Sequence, residues 1–150
     1  EYLLFFSKTD DYKFYKGRGR IPQQYAGVDW GGRNKMNPKG KDPGNVWRYS
    51  PKKGNLSKTL KHPAPFPTII PEMAILTSSD ENEIILDPFV GTGTSLWVSK
   101  YLKRNSVGYE INKKFKPLID DTISSPHEGY DFLTHGIDGS NTVSSENKNK

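Results

Sequence analysis

The 150-residue chain has no cysteine. That excludes disulfides, thiolate metal sites and cysteine nucleophiles, and it fits a reducing, cytoplasmic setting. Apolar residues are scarce, at 33%, so part of the chain is expected to be loop or tail rather than core. No apolar run approaches the ~20 residues of a membrane-spanning helix. The opening stretch from Glu1 to Phe6 reads as a strand rather than a signal peptide, and the first residue is not Met, so a native start is not expected there. The three histidines show no metal-ligand spacing. The length suits one domain with a modest core.

What the chain does have is concentrated in Glu83–Ser95, the stretch Glu-Ile-Ile-Leu-Asp-Pro-Phe-Val-Gly-Thr-Gly-Thr-Ser. Ile84, Ile85 and Leu86 form a continuous apolar run, which predicts a strand buried on both faces of a parallel sheet. Pro88 cannot donate to a ladder, so pairing should stop at Asp87. Gly91 and Gly93 permit a tight turn that brings backbone close to a ligand. Thr94 or Ser95 would cap a helix with Leu96, Trp97, Val98, Tyr101 and Leu102 as its apolar residues. A second strand over Ser106–Glu110 follows and ends in an acid. Strand, glycine turn, helix, strand and acid make the first half of a nucleotide-type crevice, in which an acid about 20 residues on takes ribose hydroxyls. Leu96 stands where a dinucleotide fingerprint has its third glycine, and no Gly-Lys-Ser/Thr follows. The turn therefore suits a nucleoside ligand without a pyrophosphate.

The wording of these motifs is more specific. Asp87-Pro88-Phe89-Val90-Gly91-Thr92-Gly93-Thr94 resembles the S-adenosylmethionine motif of DNA amino methyltransferases from restriction–modification systems. Gly108-Tyr109-Glu110-Ile111 resembles their ribose-binding strand end. Lys61-His62-Pro63-Ala64-Pro65-Phe66-Pro67 is similar to their other cofactor motif, and the stretch from Asn37 to Trp47 also matches the family. The resemblance covers roughly Glu1 to Ile123. It implies an α/β chain with a partial doubly wound, Rossmann-like methyltransferase fold and S-adenosylmethionine as cofactor. The implied cofactor residues are His62, Pro63, Phe66, Asp87, Pro88, Phe89, Gly91, Thr92, Gly93, Thr94, Glu110 and Ile111. His62 sits in a proline-rich turn without a partner acid or nucleophile, so it is assigned to the pocket lining and not to proton transfer.

Charge is uneven along the chain. Residues 11–62 hold 13 Lys+Arg against 3 Asp+Glu, whereas residues 63–150 hold 8 against 12. A basic segment beside an acidic half is the electrostatic footprint of phosphate contact. Within it, 16–60 is rich in glycine and proline, a loop of a length that in a compact domain is usually functional or disordered. Trp30, Trp47 and Tyr49 offer apolar area to dock. Arg18, Arg20, Arg33 and Lys35 are the expected DNA contacts. For any single lysine there a solvated surface position is the stronger expectation, and DNA contact is the expectation for the segment as a whole.

The chain divides into a β-hairpin over 1–15 with its turn at Asp10-Asp11, the basic DNA-facing segment 16–60, a cofactor-binding portion 61–125 and a disordered tail 126–150. The hairpin aromatics Tyr2, Phe5, Phe6, Phe14 and Tyr15 are expected mostly to pack the core, though some could stack on an extruded base. Thr68–Ser79 predicts a helix with Pro71 in its first turn. Asn112 would cap another, carrying Phe115, Leu118 and Ile119, that Pro117 weakens or kinks.

Members of the resembled family methylate an exocyclic amino group of adenine (N6) or cytosine (N4) in double-stranded DNA, flipping the base out of the helix. They hold the amino group with Asp, Asn or Ser followed by Pro-Pro and an aromatic residue. No Pro-Pro pair occurs in this sequence, so no catalytic residue is assigned. The chain reads as a C-terminal part, inactive alone, whose catalytic motif lies upstream or on a second chain. Such a part would leave a sheet edge exposed. Two alternatives stand beside this reading: a non-catalytic nucleic-acid-binding module, and a methyltransferase acting on RNA or a small molecule.

Overall fold

The computed structural model describes residues 2–21, 40–47 and 66–126. In chain order these form α1 (Ile69–Ser78), β1 (Ile84–Asp87), α2 (Thr94–Tyr101), β2 (Asn105–Gly108), a 3-10 turn (Lys113–Phe115) and α3 (Lys116–Ser124). β1 and β2 pair in parallel, with Ile84 opposite Asn105 and Asp87 opposite Gly108. The link from α2 to β2 is short because Lys103 takes a left-handed conformation, as does Asn82 before β1. The Asn82 amide donates to the Lys103 carbonyl at 2.8 Å, which ties the two turns together at the amino end of the sheet.

The core lies between α1 and α2. Met73, Ile75 and Leu76 pack on Trp97, Val98 and Leu102, with Ile21, Trp47, Ile69, Ile85 and Tyr101 around them. Burying Leu76 and Val98 completely contributes about 1.5–3 kcal/mol each. Pro71 falls in the first turn of α1, where its missing N–H costs nothing. Pro117 likewise sits in the first turn of α3, and the 3-10 turn precedes it, so it begins a helix instead of kinking one. Asn112 caps that turn, its side chain accepting from the Lys114 amide at 3.1 Å.

Two expectations need correction. β1 is not buried on both faces: Ile84 is 70% and Leu86 61% exposed. α2 packs over the side of the sheet that carries Gly108, and among the described residues nothing covers the other side. The uncovered side presents Ile84, Leu86, Val107 and Tyr109. The second correction concerns residues 2–15, which reverse direction at 8–10 without forming strands. Phe5 meets Tyr12 at 5.3 Å and Phe14 at 5.7 Å, so the ring contacts of a hairpin are present without its ladder. Its aromatics do not fill the core. Tyr2, Phe5, Phe6 and Phe14 are exposed, because a reversed segment with no ladder and no sheet to join has little to pack against. The tail expected from 126 lies, beyond Pro126, outside the described residues.

This segment is nonetheless fixed at its far end. The Tyr15 amide donates to the Thr77 carbonyl at 2.6 Å. Asp80, in the turn between α1 and β1, accepts from the Tyr15 hydroxyl at 2.7 Å, Lys13 Nζ at 3.0 Å and the Arg18 guanidinium at 2.9 Å. These donors hold its carboxyl well below the usual carboxylate range, the Tyr15 hydroxyl most of all. Lys13 also pairs with Glu83, and the two carboxylates push its ammonium pKa upward. Arg104 is buried nearby, bonding Ser79 at its hydroxyl (3.2 Å) and carbonyl (2.7 Å), and burial lowers its pKa.

Candidate functional site

The site is built where β1 and β2 end. Asp87 closes β1, and one of its carboxylate oxygens accepts the Phe89 amide at 2.9 Å, turning the chain at Pro88. The Val90 amide then reaches across to the Tyr109 carbonyl at 3.0 Å. Gly91 and Gly93 both have positive φ, 56° and 85°, so the turn needs the freedom that glycine has. Gly93, not Thr94 or Ser95, is the N-cap of α2, and no side chain caps that helix. A Cβ at Gly93 would lie 3.4 Å from Ile119 of α3, which backs the turn from behind.

Glu110 lies two residues beyond the end of β2, which stops at Gly108 rather than running to the acid. Glu110 Oε2 accepts the Gly91 amide at 3.0 Å, and its Oε1 accepts the Asn112 amide at 2.7 Å. Beside it opens a cleft of about 340 Å³ lined by Pro88, Phe89, Tyr109, Glu110 and Ile111. Phe89 is 85% and Ile111 99% exposed, so the rim is apolar and open.

Gly108 explains how the turn sits so close to β2. A Cβ there would fall 2.2 Å from Val90 Cγ2 and 3.1 Å from both methyl carbons of Leu96. In dinucleotide folds the third fingerprint glycine provides this close approach of helix to strand. Here Leu96 keeps its side chain and β2 gives up its own.

The structure thus brings together Asp87, Pro88, Phe89, Gly91, Glu110 and Ile111 around one turn and one cleft. Thr92 and Thr94 are adjacent, but their hydroxyls bond each other at 2.8 Å in the buried interior and are not turned into the cleft. Phe66 is half-buried and does not line the cleft. His62 and Pro63 lie outside the described residues, as do Arg33 and Lys35. Arg18 stacks over the Tyr15 ring at 3.6 Å while bonding Asp80, and Arg20 donates to the Gly40 carbonyl at 3.0 Å. Ile21 and Lys41 exchange backbone hydrogen bonds at 3.0 and 2.9 Å, so the chain between them leaves and returns at one point. Sequence reasoning missed Tyr109 and Asn112 as members of the site. The period-2 alternation from Val107 carried the signal for the first, placing Tyr109 on the open side.

The sequence model of a family described as DNA methylase matches residues 1–121. The chain belongs to the DNA methylase family. It is 36% identical over 138 residues to the type II methyltransferase M.BglII of Bacillus subtilis, covering 88% of this chain and 38% of that protein. It is 34% identical over 131 residues to the type II methyltransferase M.HpaI of Haemophilus parainfluenzae, covering 87% of this chain and 40% of that one. The chain therefore spans about two-fifths of the length of these relatives. Among solved structures, the cytosine-N4-specific PvuII DNA methyltransferase superposes with a TM-score of 0.51 at 22% identity, covering 56% of this chain and 33% of that one. That likeness establishes the methyltransferase fold of this partial α/β unit.

Proposed function

We propose that the chain is the S-adenosylmethionine-binding and DNA-binding part of a DNA amino methyltransferase. The observation that carries this reading is the bond from the Gly91 amide to Glu110 at 3.0 Å. It joins the two elements, glycine turn and acid, that an adenosyl ligand needs, and the acid lines the cleft. The residues present fit the ligand. Phe89 and Ile111 offer apolar surface for a purine, and the Glu110 carboxylate is an acceptor for ribose hydroxyls. Asp87 shapes the turn through the Phe89 amide, and Thr92 and Thr94 stiffen it from inside. His62, Pro63 and Phe66 are proposed as a further wall on resemblance alone. When bound, S-adenosylmethionine supplies an electrophilic methyl group.

The proposed acceptor is the exocyclic amino nitrogen of adenine (N6) or cytosine (N4) in a base turned out of double-stranded DNA. The names of the relatives support a methyltransferase, and the excess of positive charge over residues 11–62 supports a nucleic-acid substrate. Arg20, Arg33 and Lys35 are the proposed DNA contacts, and Arg18 joins them only to the extent that Asp80 leaves it free. The residues that hold the amino group are proposed to lie on an upstream segment or a second chain. The open side of the sheet, Ile84, Leu86, Val107 and Tyr109, offers that portion an apolar surface, since parallel sheets are covered on both faces.

Calorimetric titration with S-adenosylmethionine tests this reading. The intact chain should bind at micromolar level, and Gly91→Val, which forces a β-branched residue to φ 56°, should abolish binding. No heat with the intact chain would favour a nucleic-acid-binding module without a cofactor. Unchanged affinity in Gly91→Val would move the site elsewhere.

A further inference from the structure

We infer that Glu110 is a positioning residue as well as a ligand acceptor: its carboxylate clasps the turn after β1 to the turn after β2 before any ligand arrives. The inference rests on the adenosylmethionine reading for its ligand and on geometry for the clasp. Each carboxylate oxygen accepts an amide from a different turn, Gly91 at 3.0 Å and Asn112 at 2.7 Å. Asn112 in turn caps the 3-10 turn that leads into α3, through the Lys114 amide at 3.1 Å. α3 returns Ile119 to the back of Gly93, where even a Cβ would come within 3.4 Å. The glycine turn is therefore held in front by Glu110 and behind by Ile119, and both holds run through the chain that follows β2. Nothing else among the described hydrogen bonds fixes the Gly91 amide.

A carboxylate has about four lone-pair sites, and the clasp uses two. One on each oxygen remains, enough for two hydroxyl donors. Ligand and clasp can thus share the group without competing. The carboxylate stays anchored by two amides, so a diol meets an acceptor that has no freedom left to lose on binding.

A ligand pair separates the two roles. S-adenosylhomocysteine carries both ribose hydroxyls, and its 2′,3′-dideoxy analogue carries neither. A residue that only accepts from hydroxyls matters to the first ligand alone. A clasp matters to both. Affinities of the two ligands for the intact chain, E110A and E110Q should show E110A weakening the dideoxy ligand about tenfold, the scale of a lost hydrogen bond to a charged group. E110Q, which keeps one carbonyl oxygen for one of the two amides, should lose less. In the ligand-free chain, the amide resonances of Gly91 and Asn112 should both move in E110Q, while those of Val98 and Ser99 inside α2 stay in place. The inference is overturned if the dideoxy ligand binds the intact chain and E110A alike, or if the two amide resonances do not move. If the intact chain binds neither ligand, the cofactor reading falls, and the amide resonances still decide the clasp.

Discussion

Replacing Gly108 by alanine adds one methyl group to β2 at the place where the glycine turn and α2 press closest. The new Cβ would lie 2.2 Å from Val90 Cγ2, a distance at which something must shift. Val90 is 3% exposed, so it has little room to rotate away. The Leu96 methyls, at 3.1 Å, need to give only a few tenths of an ångström. Overpacking of this kind costs about 1–3 kcal/mol, and Val90 should account for most of it. Val90→Ala alone removes two carbons from the buried interior and costs about 2 kcal/mol. In that background Gly108→Ala is free of its main obstacle, so its cost should drop below about 1 kcal/mol, a coupling of about 1–2 kcal/mol between the two sites. Gly17→Ala is the control: nothing lies within 4 Å of its Cβ, and the change should stay within about 0.5 kcal/mol. Urea unfolding midpoints of the four variants and the parent decide the matter. Additive costs for Gly108→Ala and Val90→Ala would refute the packing account. Because the Val90 amide bonds the Tyr109 carbonyl, a displaced Val90 should also weaken adenosyl-ligand binding, and Val90→Ala should restore part of it.

Two other outcomes follow from the polar groups. The Asp80 carboxyl is depressed by its Tyr15, Lys13 and Arg18 donors, so its stabilisation is present above the usual carboxylate range, near pH 4, and is lost as pH falls below it. Lys13 is raised by the carboxylates of Glu83 and Asp80, and Tyr15 by Asp80, so their share is present below about pH 10 and is lost as pH rises through their raised values. Thermal midpoints across pH should therefore fall at both ends, and Asp80→Asn should lower the neutral plateau and flatten both limbs; an unchanged profile in the variant would remove the cluster from the account. Separately, neutralising Arg20, Arg33 and Lys35 should reduce the slope of log affinity for DNA against log salt by about 0.9 for each phosphate that is no longer neutralised, measured by fluorescence anisotropy. An unchanged slope would take the basic segment away from DNA.

The parts of the site that were legible in the sequence are those fixed by local chemistry. Gly91 and Gly93 at positive φ, Pro88 ending β1 and Asn112 starting the 3-10 turn each follow from what one residue type can do in a backbone. The spacing of Glu110 from Gly91 follows from the length of one helix between two strands. α1 was legible because it is a ten-residue, largely apolar segment in which Pro71 sits where a helix tolerates it. Gly108 carried a signal that was open to reading. A glycine inside a strand marks close backbone approach, and Leu96 at the third fingerprint position says the closeness must come from the other side.

What sequence could not supply is direction. Charge density over residues 11–62 counts Arg18 with the rest, yet its guanidinium faces Asp80 and Ser79 across more than sixty residues of chain. An acidic turn far along the chain, Ser79-Asp80-Glu81, is what absorbs it, and no window around Arg18 contains that information. The same limit applies to β1. An apolar triplet says that Ile84, Ile85 and Leu86 can be buried on both sides, but burial depends on what arrives from elsewhere to cover them. Here α2 covers one side, and Gly108 is the reason it can do so closely. On the other side Leu86 and Val107, opposite each other in the register, stand open beside the cleft that holds Glu110. A sheet with one dry and one wet face normally alternates apolar with polar residues. This one is apolar on the wet face too, so its strands are composed for a second layer. A polar replacement there, such as Leu86→Ser, should accordingly cost this chain little stability alone, and a loss of several kcal/mol would mean that the face is already covered.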